Sequence, residues 1–249
     1  MKRVSLTVSL LAILAALSAS RGADGPTPAA ILEKALKAAG GEAKLTKFQG
    51  LILKGKGVYH VDGMDLPFTG VWHTQGADKG RTLIEKEAKG GKSYEVSVVN
   101  GDRGWTKEGK LDSNQMSKEE LADEKENLYF NWITTLAPLK GKDFKLTPLD
   151  EAKVEGRAAV GFTVVRKGHR DIKLFFDKES GLLVQSERTI KDNNKDVAET
   201  TSFSNYKDVD GIKIAMKYSV KWQGQPQADV EMTEAKVAEK LDDKLFTRP

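Results

Sequence analysis

The sequence predicts a mainly β domain of the α+β class, in which a curved antiparallel sheet forms an incomplete β-barrel. Segments rich in Val, Ile, Thr and aromatic residues alternate apolar with polar positions at a period of two. Short turn sequences such as Asp62-Gly63 and Asn100-Gly101 separate them, which favours antiparallel hairpins over long crossover connections. Two further segments have a helical period, and these amphipathic helices are the elements available to close the sheet.

The first residues have the pattern of an export signal. Lys2 and Arg3 precede an apolar stretch over residues 4–17, and small residues follow it. We expect a signal peptide over residues 1–20, cleaved between positions 18 and 23, and a single mature domain over residues 24–249. A membrane anchor is the alternative, but the stretch is shorter than the about 20 apolar residues that a spanning helix requires. The mature protein is therefore expected to be periplasmic, monomeric and without a membrane span.

Two helices are predicted from apolar spacing and from capping residues. Thr27 is placed to cap a helix over residues 28–39. Ser117 and Glu120 have the spacing of a capping box, which predicts a second helix near residues 118–137. The apolar residues of each helix fall on one face: Ile31, Leu32, Ala35, Leu36 and Ala39 in the first, and Leu121, Leu128, Tyr129, Trp132, Ile133 and Leu136 in the second.

About 11–12 strands are predicted in the rest of the chain. The clearest pattern lies over residues 211–223, where alternate positions from Ile212 to Trp222 are apolar and Lys213, Lys217 and Lys221 lie between them. One apolar and one lysine-rich face is typical of a sheet that is solvated on one side. The expected strands cover residues 50–61, 66–75, 80–88, 93–99, 103–107, 143–149, 159–167, 170–177, 182–191, 197–206, 211–223 and 227–237.

Composition excludes several classes of site. The chain has no cysteine, so it has no disulfide, no thiol nucleophile and no cysteine-ligated zinc or iron–sulfur centre. The 40 basic and 36 acidic residues give a net charge of +4 and are interspersed along the chain. Such mixing is typical of a solvated surface and not of a nucleic-acid-binding stripe. We therefore expect neither a nucleic-acid partner nor a cofactor.

The sequence contains no convincing catalytic or metal-binding motif. His60 and His73 lie on neighbouring predicted strands, and with Asp62 or Asp65 they would make a metal site if they approached each other. Polar hairpin positions explain these residues equally well, and no ligand spacing such as H-E-x-x-H is present. There is also no G-x-S-x-G nucleophile elbow. We expect no metal and no enzymatic activity.

Three segments resemble the LolA/LolB-like superfamily, the group of outer-membrane lipoprotein-sorting proteins and their relatives. They are residues 174–184 (LFFDKESGLLV), 205–214 (NYKDVDGIKI) and 241–249 (LDDKLFTRP). Together with the helix over residues 28–39, they extend the resemblance over most of the mature chain. The resemblance implies a half-barrel closed by helices over an apolar cavity, and its motifs are turns, which specify fold better than function.

The resemblance and the aromatic residues lead to one functional hypothesis. Burial of a hydrocarbon chain contributes about 0.8 kcal/mol per methylene, so an acyl chain needs no charged residue to be bound. We expect a periplasmic carrier or chaperone whose partners are lipid acyl chains or lipoproteins, with the second helix as a lid. An envelope sensor or protein-interaction module on the same fold is the alternative, and a hydrolase acting on envelope material is a third. The expected apolar contacts are Trp72, Phe130, Trp132, Phe176, Met216, Tyr218 and Trp222.

Overall fold

A computed structural model describes residues 25–88, 91–192 and 194–249. The predicted signal peptide over residues 1–20, with its cleavage region, lies outside these described residues. The three α-helices are α1 (Pro28–Ala39), α2 (Glu42–Lys47) and α3 (Lys118–Ile133), and two 3₁₀ helices cover Ala137–Lys140 and Asp243–Phe246.

The strands form one antiparallel sheet of 14 members. The sheet runs from β6 at one edge through β5, β4, β3, β2, β1, β14, β13, β12, β11, β10 and β9 to β7 at the other, and β8 pairs with β9. The strands are β1 (Gly50–Val61), β2 (Met64–Gln75), β3 (Lys79–Ala88), β4 (Gly91–Asn100), β5 (Arg103–Glu108), β6 (Asn114–Gln115), β7 (Lys145–Pro148), β8 (Ala152–Val154), β9 (Arg157–Val165), β10 (Ile172–Asp177), β11 (Leu183–Asp192), β12 (Lys195–Val209), β13 (Ile212–Trp222) and β14 (Gln225–Ala238).

The predicted fold class is confirmed, with additional short elements. The sheet is open, because its two edge strands β6 and β7 do not pair with each other. Strands β6 and β8 have only two and three residues, too few for an alternating pattern to be recognised in the sequence. Helix α2 has six residues and lacks a side-chain cap, so it also leaves little signal.

Helix α1 begins and ends where its sequence predicts. The hydroxyl of Thr27 accepts a hydrogen bond from the Ala30 amide at 3.2 Å, and Pro28 occupies the first turn. Gly40 ends the helix at φ 127°, where a Cβ would also collide with the carbonyl of Gly211. This close approach places α1 against the start of β13.

The main core lies between one face of the sheet and the helices. It joins α1, α2 and α3 to strands β9 to β13, with Leu36, Ile133, Phe162 and Phe203 among its buried side chains. Because this face carries the helices, we call it the inner face. A second cluster lies on the outer face, where Leu241 and Phe246 of the C-terminal segment pack against Val96 and Val98.

Helix α3 crosses the inner face and contacts both halves of the sheet. On one side Leu128 packs with Val99 of β4, and Lys125 forms an ion pair with Asp102 at 2.8 Å. On the other side Tyr129 stacks on His169, in the turn between β9 and β10, with ring centroids 3.7 Å apart. The helix therefore bridges two strand groups that the open sheet leaves apart, which is the position expected of a lid.

Candidate functional site

A cavity of about 730 Å³ lies between the inner face of the sheet and helix α3. Its floor is formed by strands β1, β2 and β11 to β14, and Leu45 of α2 contributes to its wall. Most of its lining is apolar. The apolar residues are Ala39, Leu45, Phe48, Leu51, Leu53, Trp72, Phe130, Trp132, Ile172, Leu183, Ile190, Phe203, Tyr206, Ile212, Ile214, Ala215, Tyr218, Val220, Trp222, Val230, Met232 and Val237.

Five of the seven residues expected to contact an apolar ligand line this cavity. They are Trp72 on β2, Phe130 and Trp132 on α3, and Tyr218 and Trp222 on β13. The alternation along β13 accounts for the last two, because Tyr218 and Trp222 lie four residues apart on the same face of the strand. Their contact with a ligand stays a prediction.

The other two expected residues, Phe176 and Met216, do not line the cavity. Phe176 is 1% exposed, and its ring lies 5.3 Å from that of Phe162 in the main core. Met216 is buried in a cluster with Leu53 and Met232. The period of a strand identifies the face on which a side chain lies, but it does not show whether neighbouring side chains cover it.

The sequence prediction missed Phe48, Leu51, Phe203 and Tyr206, which contribute to the cavity wall. Phe203 lies on β12 in alternation with Glu199 and Thr201, which also line the cavity, so the period of this strand was the available signal. Phe48 follows the short helix α2, whose position depends on tertiary packing.

A buried polar network joins the lid to the sheet at one end of the cavity. Arg188 on β11 forms an ion pair with Glu199 on β12 at 2.6 Å, and their side chains are 12% and 9% exposed. Arg188 also donates to the amide oxygen of Asn127 at 3.0 Å, and its guanidinium lies 4.1 Å from the ring centroid of Phe130. The indole of Trp222 donates to Glu199 at 3.2 Å.

These contacts bear on the hydrolase alternative, which predicts polar groups inside the cavity. Such groups are present, but Arg188 and Trp222 already bind the carboxylate of Glu199. The network is therefore an ion pair completed by hydrogen bonds, and it holds α3 against strands β11 to β13.

A second cationic contact lies near the C-terminal end of the lid. The guanidinium of Arg166 lies 5.8 Å from the ring centroid of Tyr129, 5.6 Å from that of Trp132 and 5.1 Å from that of Phe144. Burial raises the pKa of Tyr129 to about 12. Arg166 thus supports two lid aromatics from outside the cavity.

The alternative in which His60 approaches His73 to form a metal site does not occur in the structure. In the register of β1 and β2, His60 lies opposite Asp65 and His73 lies opposite Ile52. Ile52 is eight positions before His60 on β1. At about 3.3 Å per residue, the two histidines are roughly 26 Å apart along the strands. Within the described ranges, no group of three or more His, Cys, Asp or Glu residues is placed to hold a metal ion.

The fold and the cavity together define a half-barrel domain, in which helix α3 covers a cavity on the inner face of an open curved sheet. No protein-family model matches the chain, and no curated protein matches it. Among the described residues, no helix combines the length and the apolar character needed to cross a membrane.

Solved structures with a similar fold include members of the predicted group. A LolA superfamily protein from Nitrosomonas europaea has a TM-score of 0.56 at 11% identity, covering 90% of this chain and 98% of its own. A domain from Vibrio parahaemolyticus described as an outer membrane lipoprotein-sorting protein has a TM-score of 0.56 at 12% identity, covering 86% and 97%. A DUF1329 family protein from Desulfovibrio piger has a TM-score of 0.57 at 12% identity, covering 90% and 98%. The predicted LolA-like fold is confirmed, and at this identity the likeness is one of fold.

Proposed function

We propose that this protein is a non-enzymatic carrier of the cell envelope that holds acyl chains, or another apolar part of a lipid or lipoprotein, in the cavity beneath α3. The observation that carries this proposal is the cavity of about 730 Å³ with its mostly apolar lining. Pockets of about 300–1,000 Å³ are the usual size for small-molecule ligands in proteins. The predicted signal peptide over residues 1–20 supports a periplasmic location.

The apolar floor of the cavity would bind a hydrocarbon chain through the area that is buried, without selecting a particular chemical group. Each methylene moved from water into such a site contributes about 0.8 kcal/mol, which is roughly a fourfold change in affinity. A chain of ten carbons can therefore be held by apolar area alone, after the cost of immobilising it is subtracted. This dependence on area predicts that affinity rises steadily with chain length.

Helix α3, the lid, would control the access of cargo to the cavity. Helix α3 is held on the β11–β13 side by Arg188 through Asn127 and Phe130, and on the β4 side by Leu128. Entry of a chain requires these contacts to separate at one side of the lid, because the floor is continuous sheet. We propose that cargo enters by movement of α3 as a unit.

The proposal is tested by blocking the cavity from within. Val220 lines the cavity, whereas Lys221, the next residue of β13, is exposed and faces away from it. We expect Val220→Trp to lower the affinity for a fluorescent ten- to twelve-carbon fatty-acid probe at least tenfold, and Lys221→Trp, the matched control, to leave it unchanged.

Two results would contradict the proposal. Probe binding that is absent from the delipidated wild-type protein would remove the carrier function, and equal binding by both variants would place the probe outside the cavity. Mass spectrometry of protein purified under mild conditions identifies the natural cargo in a separate step.

A further inference from the structure

The buried polar side chains differ in whether they have hydrogen-bond partners. In the part of the chain that the structure describes, the buried polar or charged residues are Ser113, Asp177, Ser186, Glu199 and Thr201. Ser113, Asp177 and Glu199 each accept a hydrogen bond from another side chain. The hydroxyls of Ser186 and Thr201 form no hydrogen bond within the described residues, although these residues are only 1% and 6% exposed. Such groups are rare in folded proteins and require an explanation.

The two hydroxyl residues are neighbours on the inner face of the sheet. Ser186 on β11 lies directly opposite Thr201 on β12, yet their hydroxyls do not bind each other. Thr201 lines the cavity. The ion pair of Arg188 and Glu199 occupies the next cross-strand position on the same face. Thr201 therefore places a free hydroxyl in the cavity beside a polar network that is already complete.

Tyr218 places a second free hydroxyl on the same part of the floor. It lies on β13 opposite Phe203, which follows Thr201 by two positions on β12, so Tyr218 and Thr201 are diagonal neighbours about 7–8 Å apart. Tyr218 lines the cavity, and among the described residues its hydroxyl has no hydrogen-bond partner. Burial raises the pKa of Tyr218, so the phenol stays protonated and is free to donate.

These hydroxyls are not satisfied by a cargo that is a hydrocarbon alone. A chain lying over them would remove water from two polar groups and supply no partner. An oxygen acceptor at this level of the cavity would replace the lost water, because both hydroxyls are able to donate to it.

The charge balance of the floor favours a neutral acceptor. Arg188 and Glu199 cancel each other, and the guanidinium is already bound to Glu199 and to Asn127. A carboxylate placed beside Thr201 would add a second negative charge close to Glu199 without a free cation to pair with it. The carbonyl of an ester adds an acceptor without a charge and without a donor that would itself require a partner.

We propose that Thr201 and Tyr218 form a subsite that binds the carbonyl oxygen of an acyl ester, while the hydrocarbon chain of the ester lies on the apolar part of the floor. The two hydroxyls donate to the carbonyl, which fixes how deep the chain lies in the cavity. This inference rests on the proposed carrier function and adds to it the chemical group next to the chain.

The test compares two isomers, methyl nonanoate and decanoic acid, at about pH 8, where the acid is ionised. Each displaces the fluorescent reporter N-phenyl-1-naphthylamine, which has no carbonyl group, from the purified, delipidated protein. We expect the ester to bind about tenfold more tightly than its ionised isomer. Two neutral hydrogen bonds predict that Thr201→Val/Tyr218→Phe lowers the affinity for the ester about tenfold and leaves that for the reporter unchanged.

The chain offers a matched control for the loss of a hydroxyl. Thr200 precedes Thr201 on β12, lies on the opposite face of the strand and does not line the cavity. Thr200→Val should therefore retain the wild-type affinity for methyl nonanoate. Urea unfolding of the ligand-free double variant should show a midpoint no lower than that of the wild type, because no hydrogen bond within the protein is lost.

The outcomes separate the ester subsite from the carrier function. If the reporter binds but the ester binds equally to the wild type and to Thr201→Val/Tyr218→Phe, or no more tightly than decanoate, the subsite is overturned and the carrier remains. A lower unfolding midpoint for the double variant would show that the hydroxyls have partners within the protein and would also overturn the subsite. If neither the reporter nor the two isomers bind to the wild-type protein, the carrier function itself fails.

Discussion

The pair formed by Arg188 and Glu199 provides a sharp test of how the lid end of the cavity is stabilised. The substitution Arg188→Met removes the guanidinium and keeps an unbranched apolar side chain of similar length. Glu199 then stays buried without its cationic partner, and Asn127 on α3 loses the donor that joins it to the sheet.

The expected loss follows from the burial of the pair. Removing one partner of a buried ion pair costs about 3–5 kcal/mol, compared with about 0–1 kcal/mol for an exposed pair. Side-chain exposures of 12% and 9% place this pair in the buried class. The indole of Trp222 still donates to Glu199, which offsets about 1 kcal/mol. We therefore expect Arg188→Met to lower the free energy of unfolding by about 2–4 kcal/mol.

Urea unfolding measures this loss, and the chain offers a matched control. Lys173 and Glu187 are also direct cross-strand partners, on β10 and β11, and their charged groups lie 3.1 Å apart, but their side chains are 49% and 36% exposed. Lys173→Met should cost at most about 1 kcal/mol, and Arg188→Met/Glu199→Met should recover most of the loss because no buried charge is left. A cost for Arg188→Met no greater than that for Lys173→Met would refute the reasoning.

Three further predictions concern separate contacts. Ser117→Ala removes the hydroxyl that caps α3 at 3.1 Å and should lower the free energy of unfolding by about 1 kcal/mol, measured by urea titration. Tyr206→Phe deletes a 2.6 Å hydrogen bond to a backbone carbonyl of β11 and should also cost about 1 kcal/mol in the same assay. Hydrogen bonds to Asp65 and Asp229 raise the pKa of His60, so its stabilising contribution is full below about pH 6.5 and is lost as the pH rises through the higher folded value. His60→Gln should therefore flatten the fall in unfolding midpoint above that pH, and an unchanged pH profile would contradict the assignment.

The sequence predicted the features of the fold that have a short-range cause. The alternation over β13 and the capping residues Thr27 and Ser117 identified elements that the structure contains. These signals are local, because a strand period or a cap depends on neighbours within a few residues. The open curved sheet followed from the number of hairpins and from the resemblance of its turn motifs.

The features that were missed depend on contacts between distant parts of the chain. Leu241 and Phe246 cover the outer face of β4, more than 140 residues away in sequence. Arg188 on β11 and Glu199 on β12 are cross-strand partners in one hairpin. Their burial depends on helix α3, which lies over them. Alternation likewise placed Tyr218 in the cavity, but it could not show that Phe176 is covered by the core.

In the proposed carrier, the lining residues of the floor and those of the lid would have different roles. Apolar contacts with the aromatic and aliphatic floor are non-directional, so the floor would accommodate chains of different length with an affinity that rises with buried area. The Arg188 network is directional, since a guanidinium binds a carboxylate and an amide only in a narrow range of geometries. It therefore defines one closed position of α3, and an apolar contact alone would allow several. Because Asn127 of α3 belongs to this network, movement of the helix away from the sheet must break the hydrogen bond that Arg188 donates to it.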